Sequence, residues 1–170
     1  MTRPILLNSC ARAATAAEAR FRINAPIAPS RGARVIALDE GAEAVVRRVA
    51  EQQWSSARFF VCRPPGLLPT SNGDVADLVL RSTDGSESRL STELAGADVA
   101  VMVATTDDGA DAAGAIGDAC TLRAIMTAGV VIRDGHDAEA TVSALRPHAR
   151  VLMVTRDEHD VSEVLSALRA

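Results

Sequence analysis

A stretch of alternating character at residues 97–132 constrains the fold of this chain more than any other part of the sequence. It reads ADVAVMVATTDDGADAAGAIGDACTLRAIMTAGVVI, with an apolar run at residues 99–104 and a β-branched run at residues 130–132. Between the two runs lie an acidic turn that contains glycine and an Ala-rich segment of helical composition. This order of segments predicts one βαβ unit, whose two strands lie in parallel in the same sheet.

The segments on either side continue the same alternation. Residues 34–38 form a short apolar run, and Ala42, Val45, Val46 and Val49 follow at the spacing of a helix that packs by one face. Further strands are predicted at residues 58–62 and 151–155, a hairpin around residues 83–85, and helices at residues 90–94, 137–145 and 161–168. We therefore expect a three-layer, Rossmann-like α/β domain with a mostly parallel central sheet over residues 33–170.

The start of the chain differs in charge from the rest. Residues 1–34 hold six Arg against Glu18 alone, a net charge of +5, whereas the remaining residues carry −9. We expect residues 1–32 to form a basic N-terminal arm, with a candidate helix at residues 10–22. Opposite charges on arm and body favour a homodimer, or contact with another protein partner. Nucleic-acid binding is not expected, because Phe21 is the only aromatic residue of the arm and the body is acidic.

Composition excludes several classes of function. All 18 basic residues are Arg, so the chain has no lysine for a Schiff base, a P-loop or a lysine general base. No apolar run approaches the roughly 18 residues of a membrane span, and membrane association is not expected. Cys10, Cys62 and Cys120 show no paired spacing, which favours reduced thiols and a cytoplasmic location.

Two long segments carry a family resemblance in their layout and spacing. Residues 33–62 read ARVIALDEGAEAVVRRVAEQQWSSARFFVC, and residues 94–132 read LAGADVAVMVATTDDGADAAGAIGDACTLRAIMTAGVVI. The first resembles the opening strand, glycine-rich turn, helix and second strand of the nucleotide-binding domain of the tubulin/FtsZ superfamily. The second resembles that domain's later strand, its GGGTGTG signature loop, the helix after it and the next strand. The resemblance covers residues 33–134, and its implied nucleotide-contacting positions are Gly41, Thr105, Thr106, Gly109 and Gly114.

The two loops depart from the family's pattern in a way that bears on function. The family's glycines bring backbone N–H groups up to phosphates, whereas this chain has Asp39 and Glu40 in the first loop and Asp107 and Asp108 in the second. Each carboxylate close to a phosphate costs about 1–4 kcal/mol at effective dielectrics of about 80 to 20. GTP binding is therefore not expected. The resemblance then implies a non-hydrolysing FtsZ-like domain that acts as an interaction or regulatory module, because the family's second domain, which triggers hydrolysis, is not recognisable in this sequence.

The same acidic residues support a different hypothesis. The carboxyl ends of parallel strands meet at one edge of a sheet, where clustered carboxylates suit Mg²⁺ or Ca²⁺. The candidate metal ligands are Asp39, Glu40, Asp107, Asp108 and Asp111, with Asp134 and Asp157 at the same edge. Such a site would serve a Mg²⁺-dependent enzyme of nucleotide or phosphoryl chemistry, and IALDEG and VATTDDGADA also look similar to the Toprim fold, although Toprim proteins separate their two Asp by one residue.

A simpler interpretation of these acids needs no ligand. Asp and Glu are common at the starts of helices, where they accept hydrogen bonds from backbone N–H groups and complement the helix dipole. We expect this structural role for most of them, and we expect the chain not to be an enzyme.

Overall fold

The computed structural model describes residues 32–62, 78–133, 135–168 and 170. Residues 1–31 of the expected arm (residues 1–32), the candidate helix at residues 10–22 and the candidate ligand Asp134 lie outside the described residues. The elements in chain order are β1 (Ala33–Ala37), α1 (Glu40–Ala50), β2 (Arg58–Cys62), β3 (Val79–Ser82), β4 (Glu87–Arg89), α2 (Leu90–Ala95), β5 (Val99–Ala104), a 3-10 turn (Asp107–Gly109), α3 (Ala110–Leu122), β6 (Met126–Ile132), α4 (Glu139–Leu145), β7 (Val151–Thr155) and α5 (His159–Ala167).

The strands form one mostly parallel sheet in the order β4-β3-β2-β1-β5-β6-β7. The five strands from β2 to β7 in this order pair in parallel, while the hairpin of β3 and β4 runs antiparallel at one edge. In the centre, Val35 of β1 pairs with Phe59 of β2 on one side and with Val101 of β5 on the other. The expected α/β architecture with a mostly parallel sheet is confirmed, as is the hairpin around the Thr-Asp-Gly turn.

Alternate residues of the strands build two hydrophobic cores, one on each face of the sheet. Val35, Val101 and Val130 face the core that α1 and α5 cover. Ile36 and Met102 face the other core, which α2, α3 and α4 cover. The crossover from β1 to β2 and the crossover from β5 to β6 run in opposite directions along the sheet. Because both are right-handed, α1 and α3 are expected on opposite faces of the sheet. The observed layers have this arrangement.

The helix α1 forms for reasons that are visible in its sequence. Its buried residues are Ala42, Val45, Val46 and Val49, the four that helical spacing selects. Asp39 caps its first turn by accepting a hydrogen bond from the N–H of Ala42 at 2.8 Å. Glu43 and Arg47 then pair on its exposed side at 2.6 Å. Capping and one-sided packing together direct the helix N-terminus to the carboxyl end of β1.

The one buried ionic cluster of the described residues lies at the start of β1. Arg34 is only 6% exposed, and its Nε donates to the carboxylate of Glu93 in α2 at 3.2 Å. Arg58 reaches the same carboxylate at 2.7 Å. Burial lowers the pKa of Arg34, an effect that the neighbouring Glu93 partly opposes. This cluster fastens α2 to the sheet at the amino ends of the parallel strands.

The connections reverse direction between β1 and β5. The chain leaves β1 toward β2 on one side, and leaves β5 toward β6 and β7 on the other. At such a topological switch point the chain turns to opposite sides after the two central strands, and this is where open α/β sheets bind ligands. The loops that follow β1 and β5 therefore define the candidate site.

Candidate functional site

A cleft of about 1050 Å³ opens at the carboxyl ends of the parallel strands. Its walls come from one face of α1, the loop after β5, the end of β6 with the segment after it, and the end of β7 with the loop that follows. The lining residues are Glu40, Gly41, Val45, Arg48, Thr105, Thr106, Asp108, Ile132, His136, Thr155, Arg156, Asp157 and Glu158. The cleft thus lies at the switch point and extends along the edge toward β7.

The cleft combines a small apolar surface with a charged lining. Val45 and Ile132 are each 6% exposed and contribute the apolar part. Four carboxylates line the cleft against the guanidinium groups of Arg48 and Arg156. Arg48 is already paired with Glu158 at 2.5 Å, and this hydrogen bond raises the pKa of Arg48. The balance of charge in the cleft is acidic, which disfavours a polyphosphate.

Asp39 lies beneath this cleft and joins its two central loops. Only 7% of the residue is exposed. One carboxylate oxygen accepts from the N–H of Ala42 at 2.8 Å and from the hydroxyl of Thr105 at 2.6 Å. The other accepts from the N–H groups of Thr105 and Thr106, at 2.7 and 3.1 Å. Both oxygens of Asp39 are therefore occupied by donors from this chain.

Two glycines let the loops after β1 and β5 approach each other closely. A methyl group added at Gly41 would lie 2.2 Å from the hydroxyl oxygen of Thr105. One added at Gly109 would lie 2.6 Å from the Cβ of Leu38 and 3.2 Å from its carbonyl oxygen. Both distances are shorter than van der Waals contact, so glycine is required at each place to close the loops against each other.

Asp107 has a capping role for a different helix. Its side chain accepts a hydrogen bond from the N–H of Thr141 in the first turn of α4, at 3.0 Å. The residue before α4 is Ala138, which has no side-chain acceptor of its own. The hydroxyl of Thr141 in turn donates to the carbonyl of Thr106 at 2.9 Å. Asp107 therefore caps the N-terminus of α4 from a distant part of the same chain and holds α4 against the loop after β5.

The candidate residues from the sequence divide into those that line the cleft and those that do not. Glu40, Gly41, Thr105, Thr106 and Asp108 line it. Asp39, Asp107 and Gly109 lie in the supporting loops, where their contacts are structural. Asp111 and Gly114 are on α3, away from the cleft, with Asp111 exposed. Among the described residues, no three His, Cys, Asp or Glu side chains form a group able to hold a metal ion.

Several cleft residues were not among the sequence candidates. Arg48 follows Gly41 and Val45 at helical spacing, so the three share one face of α1, and this pattern is visible in the sequence. Arg156 and Glu158 follow β7 directly and belong to the same edge by the rule that selected Asp157. His136, in the segment after β6, is exposed and also lines the cleft.

The two cysteines in the described part of the chain contribute no reactive group to the site. Cys62 and Cys120 are both buried and free, and they face the core under α2, α3 and α4. Burial raises the pKa of each thiol to about 11. Since the thiolate is the nucleophilic form, neither cysteine is activated at neutral pH.

Comparison with known proteins leaves the family unassigned. No protein-family model matches the sequence, and no curated protein is significantly similar to it. Within the described residues, no helix has the length and apolar character needed to cross a membrane.

Proposed function

We propose that this chain is a non-hydrolysing, FtsZ-like domain that acts as an interaction or regulatory module and does not bind GTP. The Asp39 carboxylate supports this proposal, because it accepts hydrogen bonds from Ala42, Thr105 and Thr106 at the switch point. In proteins that bind nucleotides at such a place, backbone N–H groups of these loops and of the helix N-terminus are turned toward phosphate oxygens.

The Asp39 carboxylate acts here as an internal anion. It carries the same charge sign as a phosphate and occupies the same kind of donors, so a phosphate has to displace it to reach them. That displacement would leave a buried carboxylate without its four hydrogen bonds, which is a large cost. The close contacts of Gly41 with Thr105 and of Gly109 with Leu38 also leave no gap between the loops.

The charges in the open part of the cleft act in the same direction. A ligand seated there meets Glu40, Asp108 and Asp157 as well as the Arg48–Glu158 pair. A triphosphate would be repelled unless a cation intervened. The alternative of a Mg²⁺-dependent enzyme needs carboxylates that are free to ligate, and Asp39 and Asp107 are both committed to backbone N–H groups. We therefore favour the module over the enzyme.

A thermal-melt titration tests the proposal with the full chain. GTP with Mg²⁺, GTP alone and Mg²⁺ alone are compared, and phosphate release is measured in parallel. A ligand at about 100 times its dissociation constant adds about 2.7 kcal/mol of stability, a rise in melting temperature of several degrees. We expect no rise in melting temperature in any of the three titrations and no phosphate release. A rise with GTP would refute the proposal, and a rise with Mg²⁺ alone would favour the enzyme.

We further propose that the module is a cytoplasmic homodimer. The support is the contrast between the basic residues 1–34 and the acidic remainder of the chain, which two copies can satisfy in a reciprocal contact. The Ala- and Gly-rich helix α3 offers a second surface for such a contact. On it, Gly117 is buried against the ring of His148, whereas a side chain at Gly114 would meet no atom of the described residues within 4 Å. Gly114 is therefore the position at which to test that surface.

A further inference from the structure

A second, smaller cavity lies between α4 and the edge strand β7, on the face of the sheet that α2, α3 and α4 cover. Its volume is about 330 Å³, the size of a small organic ligand. Glu139, Val142, Ser143 and Arg146 line it from one face of α4, at successive helical spacings. Arg133, directly after β6, and Val154 of β7 complete the wall.

The two arginines in this cavity have few hydrogen-bond and ion-pair partners among the described residues. Among the described residues, the Arg133 side chain makes one hydrogen bond, from Nη2 to Glu139 at 3.3 Å. The Arg133 side chain is 39% exposed and that of Glu139 is 77% exposed. The Nε of Arg133 is buried and has no hydrogen-bond partner among the described residues. Arg146 is exposed and forms no ion pair with any described residue. Two guanidinium groups therefore share the cavity with one loosely held carboxylate.

A buried N–H group without an acceptor is uncommon and costly, and a charged one more so. The Nε and Nη2 groups of a guanidinium lie side by side and together match two oxygens of a carboxylate or phosphate. Glu139 uses only Nη2, through a long bond, and leaves Nε unused. An oxyanion that displaced Glu139 could accept from both donors, in a cavity that Arg146 and Ser143 also line.

The structure assigns to this cavity a binding site for a small oxyanion, a carboxylate or a phosphate group, held by Arg133 and Arg146 with Glu139 as its internal competitor. The apolar walls from Val142 and Val154 leave room for a short carbon chain attached to the anion. This site is separate from the cleft at the switch point, and it does not depend on whether that cleft binds a nucleotide.

The test follows the side-chain Nε–H resonances of arginine by ¹⁵N NMR in the full chain. Inorganic phosphate and succinate are titrated separately, and sodium chloride at equal ionic strength is the reference. We expect a saturable shift of the Arg133 signal with at least one of the two oxyanions, and the stronger of the two identifies the ligand class. A change that does not saturate, or that chloride reproduces, would overturn the assignment.

Variants separate specific binding from a general charge effect. Arg133→Gln and Arg146→Gln should weaken binding about tenfold or more, since each removes a charged hydrogen-bond donor. Arg133→Lys keeps the charge without the parallel donor pair and should also bind weakly. Glu139→Gln should bind at least as tightly as the wild type. The matched control Arg47→Gln removes an equal charge from the exposed side of α1 and should bind normally. Equal loss in this control, or a loss in Glu139→Gln, would contradict the site.

Discussion

Among the individual residues, Asp39 has the largest structural role at the candidate site. Its carboxylate caps α1 and also binds two residues that are 66 and 67 positions away in the sequence. Asp107 makes one capping contact with α4. Asp108 is exposed, and its side chain accepts no hydrogen bond from the described residues. Three acidic residues that look alike in the sequence therefore differ in what their removal should do.

Alanine substitution of these three residues should lower the stability of the protein by different amounts. Asp39→Ala should lower the free energy of unfolding by about 3 kcal/mol or more, because it removes a cap and leaves several buried donors unsatisfied. Asp107→Ala should cost about 1 kcal/mol, the value of a helix cap. Asp108→Ala should change stability by less than about 0.5 kcal/mol. Urea denaturation followed by circular dichroism measures all three.

Equal effects in the three variants would contradict the different structural roles of Asp39, Asp107 and Asp108. So would a loss in Asp108→Ala that is seen only in Mg²⁺, which would point instead to a metal site. The sequence could suggest that these acids begin helices, but it could not distinguish their roles. The partners of Asp39 are distant in the chain and become neighbours only when β1 and β5 pair.

At the scale of the elements, strands and helices could be predicted from the sequence where buried residues form a continuous apolar run or recur at helical spacing. The strands at residues 58–62, 99–104 and 151–155 are observed with those bounds, and α1 buries the four residues that its spacing selects. β6 was predicted only over residues 130–132 but begins at Met126. The first half was missed because it contains Ala128 and Gly129, small residues without a strand preference. In the structure, Gly129 packs against Leu145 and Leu152.

Packing between elements could not be predicted in the same way. The closeness of the loops after β1 and β5 depends on Gly41 and Gly109, and a glycine in a sequence does not tell which atoms approach it. Similarly, Gly114 and Gly117 lie in the same Ala-rich helix, but within the described part of the chain only Gly117 is covered by another segment, through the ring of His148.

A matched pair of glycine substitutions tests the packing of the loop after β5. Gly109→Ala should destabilise the protein by about 1–3 kcal/mol, because the new methyl group meets Leu38. Gly114→Ala in α3 should stabilise it by up to about 1 kcal/mol, since alanine favours a helix and the new methyl group meets no described atom from outside the helix. Melting temperatures of the two variants provide the comparison. If Gly109→Ala melts at or above the wild-type temperature, the loops are not packed as described.

At the scale of the whole molecule, the charge distribution leads to the prediction of a homodimer. Light scattering at micromolar concentration should give twice the mass of one chain. Deletion of residues 1–30 should produce a monomer if the basic arm is the contact, and high salt should act in the same direction. If the deletion leaves the dimer intact but Gly114→Leu abolishes it, α3 is the interface. A single-chain mass for the full-length protein would refute the dimer.

At the switch point, the N–H and hydroxyl donors of both loops are occupied by the protein's own Asp39. Rescue of Asp39→Ala by formate tests this claim, because formate replaces the missing carboxylate. Melting temperatures are measured as sodium formate replaces sodium chloride at constant ionic strength. The variant should regain stability in a dose-dependent manner that saturates, while the wild type and Asp108→Ala remain unchanged. If formate has the same effect on all three proteins, or none on Asp39→Ala, the donors do not form an anion site and the claim is wrong.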